Sequence, residues 1–516
     1  MGSARRFRAA LVFAGLLAVS LALAPDGALR AQGTAQAPQR KGPEHAKTIR
    51  RLLIANAMVI YGNAKPPFGP VDILIQDGLI AQIQPSAIHA LDADAVIDAT
   101  GKYVMPGLID THMHWHDSRA GLAQPVQYER NLYLASGVTT TRELGGDFAK
   151  SKRWQAESNA HAVVAPRMIV YWVVNRSGKG TPADLHADVR EAKARGADGL
   201  KIFGMDRDQL EAVMEEAKAQ GLRTATHIGV EETTARDFIE LGVNSIEHFY
   251  GIADAALDGV QHFPPEMNYA DENMRFARAG EVYAQANPEK LRAVIDSMIA
   301  HKTAWDPTLS IYEASRDLTR AQNQPWFRDY LHPALEAFFK PDPTHHGSYF
   351  TGWTNTQEVK WKQQYRIWMD ALKDFGAKGG LITTGDDAGF IYSMYGFGLI
   401  RELELHEEAG FDPLDVIAHG TWNGARLLGL DDHLGKVRVG YTADLLVVNG
   451  NPLENLHVLN PAGTEVNVNG RNTRGGGVEW TIKDGIPYHG PTLMKEIKDM
   501  VAAARANRTP QTTASP

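Results

Sequence analysis

The strongest constraint on this chain is a recurring plan rather than a recurring sequence. Five segments end a helical pattern with Gly and pass within a few residues into a short apolar strand followed by polar residues. They are Ser136-Gly137-Val138-Thr139-Thr140, Arg195-Gly196 into Gly199-Leu200-Lys201-Ile202, Gln220-Gly221 into Ala225-Thr226-His227, Leu241-Gly242 into Ser245-Ile246-Glu247-His248, and Phe375-Gly376 into Leu381 to Asp387. Gly tolerates the left-handed backbone that ends a helix and turns the chain into a buried strand, so the plan reads as repeated strand–helix units. Adding Pro106 to His114, Pro166 to Val174 and Thr303 to Leu309 makes eight candidate strands. Eight such units in roughly 320 residues predict a (β/α)8 TIM barrel over 107–425 with insertions. The doubly wound alternative would need a Gly-rich dinucleotide turn that the chain lacks.

The flanks read as one split domain. Leu52 to Ile83 alternates apolar and polar residues around a turn at Asp77-Gly78, and Lys436 to Asn449 and Val478 to Tyr488 do the same after the barrel. Segments 49–106 and 426–490 are therefore expected to close into one small β-sandwich, with 491–516 as a C-terminal helix and polar tail. Between His248 and Asp387 the chain is longer than one further strand and its helices need. The excess, an aromatic-rich insertion at about 255–365, includes Tyr283, Trp326, Phe338, Phe339, Tyr349 and Phe350. It suits a small core of its own, a subunit contact, or a lid over the site below.

At the N-terminus, Arg5, Arg6 and Arg8 precede an apolar run from Ala9 to Ala24 and small residues around Ala28 to Ala31. The run falls short of the ~20 residues that cross a bilayer, so 1–31 reads as a cleaved signal peptide and 32–48 as a linker. The expectation is an exported protein, periplasmic or secreted, with no stable membrane insertion after cleavage. The chain has no Cys, which excludes disulfides, Cys-bound zinc, iron–sulfur clusters and thiol catalysis. Its net charge of −8 leaves no basic surplus to neutralise phosphates, so nucleic acid is not the expected partner. Nothing sets an assembly number, and a homo-oligomer stays open.

The chemistry-bearing residues fall at strand ends. His112 and His114 are two apart on strand one, so their side chains point the same way. His116 forms a second such pair with His114. Lys201, His227, His248 and Asp387 each close a different candidate strand. Singly each has an ordinary explanation: a chance His pair, a snorkelling Lys, a satisfied core His, an Asp capping a helix. Together they share the face where barrel enzymes place their chemistry. Imidazole and carboxylate ligands without Cys suit zinc, manganese, iron or cobalt.

Several runs carry a family resemblance: Pro106-Gly107-Leu108-Ile109-Asp110-Thr111-His112-Met113-His114, Gly137-Val138-Thr139-Thr140-Thr141-Arg142-Glu143-Leu144-Gly145-Gly146, and Gly196-Ala197-Asp198-Gly199-Leu200-Lys201-Ile202. Thr226-His227, Ser245-Ile246-Glu247-His248, Gly385-Asp386-Asp387-Ala388-Gly389 and Gly440-Tyr441-Thr442-Ala443-Asp444-Leu445 extend it. The chain resembles the amidohydrolase superfamily, in the dipeptidase-like and imidazolonepropionase-like group with a binuclear metal centre and a carboxylated lysine. The resemblance runs from about 50 to 490. It implies two divalent ions, most simply zinc. His112, His114 and Asp387 would hold one, His227 and His248 the other, with Lys201 bridging both as a carbamate formed from CO2. Asp387, rather than the adjacent Asp386, matches because the family's Asp precedes a small residue and Gly.

The implied reaction is hydrolysis of an amide, in a dipeptide or N-acyl amino acid. A metal-bridging hydroxide attacks the carbonyl, and Asp387 takes its proton and passes it to the leaving amine. A lactone, carbamate or organophosphate hydrolase could use the same centre. Deaminases of the superfamily lack the strand-four Lys and carry Glu three places after the strand-five His, where this chain has Val230. A binding protein on an inactive barrel would have lost ligands. Candidate substrate contacts are Arg142, Arg176, Tyr250 and Tyr312, the arginines because a guanidinium offers a carboxylate two parallel donors.

Overall fold

The computed structural model describes residues 41–507 apart from 87–90, 176–179, 230–232, 260–266, 269–270, 343–344 and 346. The expected signal peptide, the first part of the linker and Arg176 lie outside the described residues. The N-terminal flank supplies β1 (Arg51–Val59), β2 (Phe68–Gln76), β3 (Leu79–Pro85), β4 (Ala95–Asp98) and β5 (Tyr103–Pro106). Next come β6 (Leu108–Met113) and a short hairpin of β7 (Ser118–Arg119) and β8 (Leu122–Ala123). The series continues with β9 (Val138–Glu143), β10 (Arg167–Val173), β11 (Gly199–Phe203), β12 (Arg223–His227), β13 (Ser245–Glu247) and β14 (Ala304–Asp306). The C-terminal flank adds β15 (Leu445–Val448), a β16–β17 hairpin (Thr464–Val468, Arg471–Gly475), β18 (Val478–Lys483) and β19 (Ile486–His489).

The barrel is a parallel sheet in the order β14-β13-β12-β11-β10-β9-β6. Segment 381–387 closes it from both sides. Trp305 N donates to Leu381 O and Thr383 N to Trp305 O on one edge, while Thr111 N donates to Thr384 O and Asp387 N to His112 O on the other. The sheet therefore has seven strands, and where the eighth is expected an irregular segment makes single bonds and one isolated bridge, Ile382 to Trp305, rather than a continuous ladder. Gly137, Gly196, Gly221 and Gly242 all have positive φ. Gly221 (φ +64) caps helix 207–220 in the left-handed conformation and leads straight to β12, the turn the sequence pattern requires. Helices ring the sheet, and their buried faces meet it in one large core that includes Leu132, Val189, Leu210, Phe238 and Leu403.

The two flanks share one mixed sheet, ordered β19-β18-β15-β5-β1-β2-β3 with β4 beside β1. The sheet folds over on itself: Leu79 on β3 bridges Thr442, just before β15. The enclosed core holds Leu52, Ile54, Ile73, Ile97, Val104, Leu445, Val447 and Ile482. This separate β domain is the one expected from the alternating flanks. No helix among the described residues is long and apolar enough to cross a membrane.

Candidate metal centre

Strand β6 is buried throughout, and His112 and His114 stand at its C-terminal end. The Asp110 carboxylate accepts a hydrogen bond from His112 N (3.0 Å) and braces that end. Opposite, segment 381–387 delivers Asp387. Gly385 permits the close approach, because a Cβ there would lie 2.4 Å from the His112 Cβ. Asp387 Oδ1 is consequently 3.0 Å from His114 Nε2 and 3.8 Å from His112 Nε2. Ligand atoms of these three residues all lie within 4.8 Å of one another, forming a clustered His/His/Asp metal-binding site.

The remaining expected ligands sit around this cluster. His248 follows β13, with Nε2 3.7 Å from Asp387 Oδ2. Its ring centroid is 4.9 Å from that of His112 and 4.7 Å from that of His227. His248 (φ +64) and Asp387 (φ +43) both adopt left-handed backbone, which costs a non-Gly residue about 1–3 kcal/mol and persists only where surroundings enforce it. Here they do: His248 N donates to Asp306 O and Asp387 N to His112 O. Lys201 on β11 is buried beside them, and its Nζ has no hydrogen-bond partner.

The donor set fits a divalent cation. Lys201 Nζ and His248 Nε2 are buried without hydrogen-bond partners, an arrangement costing about 1–3 kcal/mol per group unless something binds there. Burial holds the His112 and His248 imidazoles well below their usual pKa, with the Lys201 charge adding to the effect. They are therefore neutral, the form that binds metal. Burial opposes charge on His114 as well, but its bonds to Asp387 and Glu143 outweigh burial and hold it at about 9. A proton on His114 Nε2 occupies the place a metal would take. Burial lowers the Lys201 amine to about 8.

Groups that sequence reasoning did not single out orient the ligands. Thr308 Oγ1 bonds His248 Nδ1, which leaves Nε2 to face Asp387. Glu143 Oε1 lies 3.4 Å from His114 Nδ1, and Glu143 also accepts from the backbone of Trp115, Gly145 and Gly146. Glu247 Oε2 lies 3.4 Å from His112 Nδ1. Partners of this kind fix ring orientation and ligand basicity in metal sites. The available signal was an acidic residue at the end of an apolar strand, as at Glu143 and Glu247.

The expected substrate contacts are placed differently from one another. Tyr312 lines a cavity of about 410 Å3 that also exposes His114, His116, Arg119, His227 and Asp387. Tyr250 stacks on His227 with ring centroids 5.2 Å apart and is not among the cavity's lining residues. Arg142 lies instead in the barrel interior, wholly buried, donating to Thr111 O, Ser245 Oγ and Glu247 Oε1. Its Nε, Nη1 and Nη2 each serve an internal acceptor, and it is not among the residues that line the cavity. Asp386 turns away from the cluster and accepts from Tyr133 Oη, Ala388 N and Gly396 N. The aromatic insertion both packs a core through buried Tyr283 and Tyr349 and walls the cavity through Phe276 and Phe338.

The sequence model of the amidohydrolase family matches residues 103–271 and 354–472, more than half of the chain. Over 424 residues the chain is 25% identical to a dihydroorotase of Caldanaerobacter subterraneus subsp. tengcongensis, covering 77% of this chain and 88% of that protein. A stretch of 134 residues is 30% identical to an L-hydantoinase of Paenarthrobacter aurescens, covering 25% of this chain and 28% of that one. Among solved structures, a Xaa-Pro dipeptidase with methionine bound in its active site superposes with a TM-score of 0.60 at 21% identity, over 85% of this chain and 100% of that one. A prolidase-like structure from Bifidobacterium longum gives 0.59 at 24% identity, over 89% and 100%. At these identities the structures establish likeness of fold. The matched motifs, the barrel and the His/His/Asp cluster at its mouth agree, and the chain belongs to the amidohydrolase family.

Proposed function

We propose that the protein is a metal-dependent hydrolase of amide bonds, acting on a dipeptide or N-acyl amino acid, with two divalent cations in its barrel mouth. The carrying observation is the convergence of His112, His114, His248 and Asp387 beside a buried, unpartnered Lys201 amine. His112, His114 and Asp387 would hold one cation and His227 and His248 the second, with Lys201 joining them as a carbamate. That role suits a buried amine, since only an uncharged amine captures CO2 and only the resulting anion can join two cations. When bound, the cations supply Lewis acidity, activating water and polarising the scissile carbonyl.

The chain's own groups complete the reaction. Asp387, reaching His114 with one oxygen and facing His248 with the other, takes the proton of the attacking water and returns it to the departing amine. Phe276, Phe338 and Phe390 on the cavity wall shield the reacting carbonyl from bulk water. The dipeptidase and prolidase folds among the similar structures support a peptide-like substrate.

The deciding experiment measures metal per chain in protein purified without chelator and with bicarbonate present, alongside turnover of dipeptides and N-acyl amino acids. The expected result is two metals per chain, falling sharply in Lys201→Ala, with amide turnover tracking occupancy. One metal, indifferent to Lys201, would overturn the bridged centre and direct substrate screening to deamination. Two metals with turnover only of lactones, carbamates or organophosphates would overturn the amide assignment.

A further inference from the structure

Arg119 stands on β7, in the hairpin that immediately follows the His112–His114 strand. Three arginines are buried among the described residues: Arg119, Arg130 and Arg142. Arg130 pairs with Glu157 and Arg142 with Glu247. Arg119, 5% exposed, makes no ion pair among the described residues. Its Nε donates to Tyr395 Oη (3.1 Å). Its Nη2 is buried without a hydrogen-bond partner. Glu129, the nearby buried carboxylate, accepts from Gln124 Nε2 and His116 N and attracts the Arg119 charge without pairing to it directly.

The setting is built rather than incidental. The guanidinium lies between two rings, its Cζ 4.8 Å from the Phe338 centroid and 4.5 Å from that of Phe390. Nη2 also rests on the loop that carries Asp387, since a Cβ at Gly389 would lie 2.3 Å from it. Arg119, His114 and Asp387 line one cavity. Two aromatic faces steady the cation but give Nη2 no acceptor, and a buried N–H left without one is expensive. What completes the site is an anion entering the cavity, and a planar fork selects a planar carboxylate.

We propose that Arg119 binds the carboxylate of the substrate, restricting turnover to amides that carry a free acid beside an apolar group seated against Phe338 and Phe390. The identity of the bond cleaved rests on the hydrolase reading above; the anion contact does not, and the test separates the two. Binding of 3-phenylpropanoate to the zinc-loaded protein is compared by calorimetry with that of 4-phenylbutan-2-one, a neutral analogue of similar shape. Neither probe has a bond that such an enzyme could hydrolyse. The wild-type protein is expected to favour the acid by about 10–100-fold. Arg119→Gln removes that preference, and Arg119→Lys, which keeps the charge without the fork, lowers it several-fold. Equal binding of the two probes by the wild-type protein overturns the proposal. So does unchanged affinity for the acid in Arg119→Gln, which would place the carboxylate on the metal instead. If Arg119→Gln does not fold, Arg119→Lys decides, and an unchanged preference there is equally fatal.

Discussion

At the scale of single residues, the centre is a set of acidic and imidazole groups each held in one orientation. Asp387 illustrates the division of labour with its neighbour: Asp386 is tied to Tyr133 and two backbone amides, while Asp387 faces the imidazoles. Asp387→Asn is expected to leave the fold intact and lower kcat by about 10²–10⁴-fold; steady-state kinetics at matched metal content check this. Thr308→Val is nearly isosteric but removes the bond to His248 Nδ1, so metal affinity should fall by about 10–100-fold in chelator competition. Unchanged affinity would remove His248 from the ligand set. The clustered His112, His114 and Asp387 were legible because strand ends bring them to one face. Thr308 and Arg119 were not, because their roles depend on partners distant along the chain, His248 and Tyr395.

At the scale of elements, a charged cluster ties helix 313–316 to helix 397–408 behind the site. Glu313 bonds Arg401 and Arg320, and Arg401 also bonds Glu404. Burial would raise the Glu313 pKa, but the arginines outweigh it and hold it below the ordinary 4.5. A depressed carboxylate stabilises the fold above its unfolded pKa, and the contribution is lost as pH falls through the folded value. Glu313→Gln should therefore cost about 3 kcal/mol near pH 7, with the difference from wild type shrinking below about pH 4.5, as thermal unfolding at several pH values would record. The Gly-to-strand pattern marked the barrel strands well, since each buried strand is short, apolar and preceded by a turn. It could not show that segment 381–387 would pair so sparsely. There Gly385 and the left-handed Asp387 break the ladder in order to place a ligand.

At the scale of the whole molecule, a cation bound at the His/His/Asp cluster would stabilise the barrel that forms it. His112 and His114 stand at the end of β6 and Asp387 on the closing segment, so a cation held by these three would tie together elements far apart in the chain. At a thousandfold excess over Kd, a ligand of the native state adds about 4 kcal/mol. Stripping the metal with a chelator should lower Tm and abolish turnover together, with both restored by zinc; calorimetry and activity on the same sample test this. That both flanks meet in one β domain could be read from their alternating pattern, but strand order could not, because alternation specifies a face and not a neighbour.

That strand order sets a timetable for assembly. β5 lies between β1 and β15, with Pro106 opposite Leu445. The roughly 340 residues between them take about 20–70 s to synthesise at ordinary ribosomal rates. Throughout that interval the earliest strands present an open edge that only β15, far later in the chain, can cover, so the window for misassembly is written into the connectivity itself.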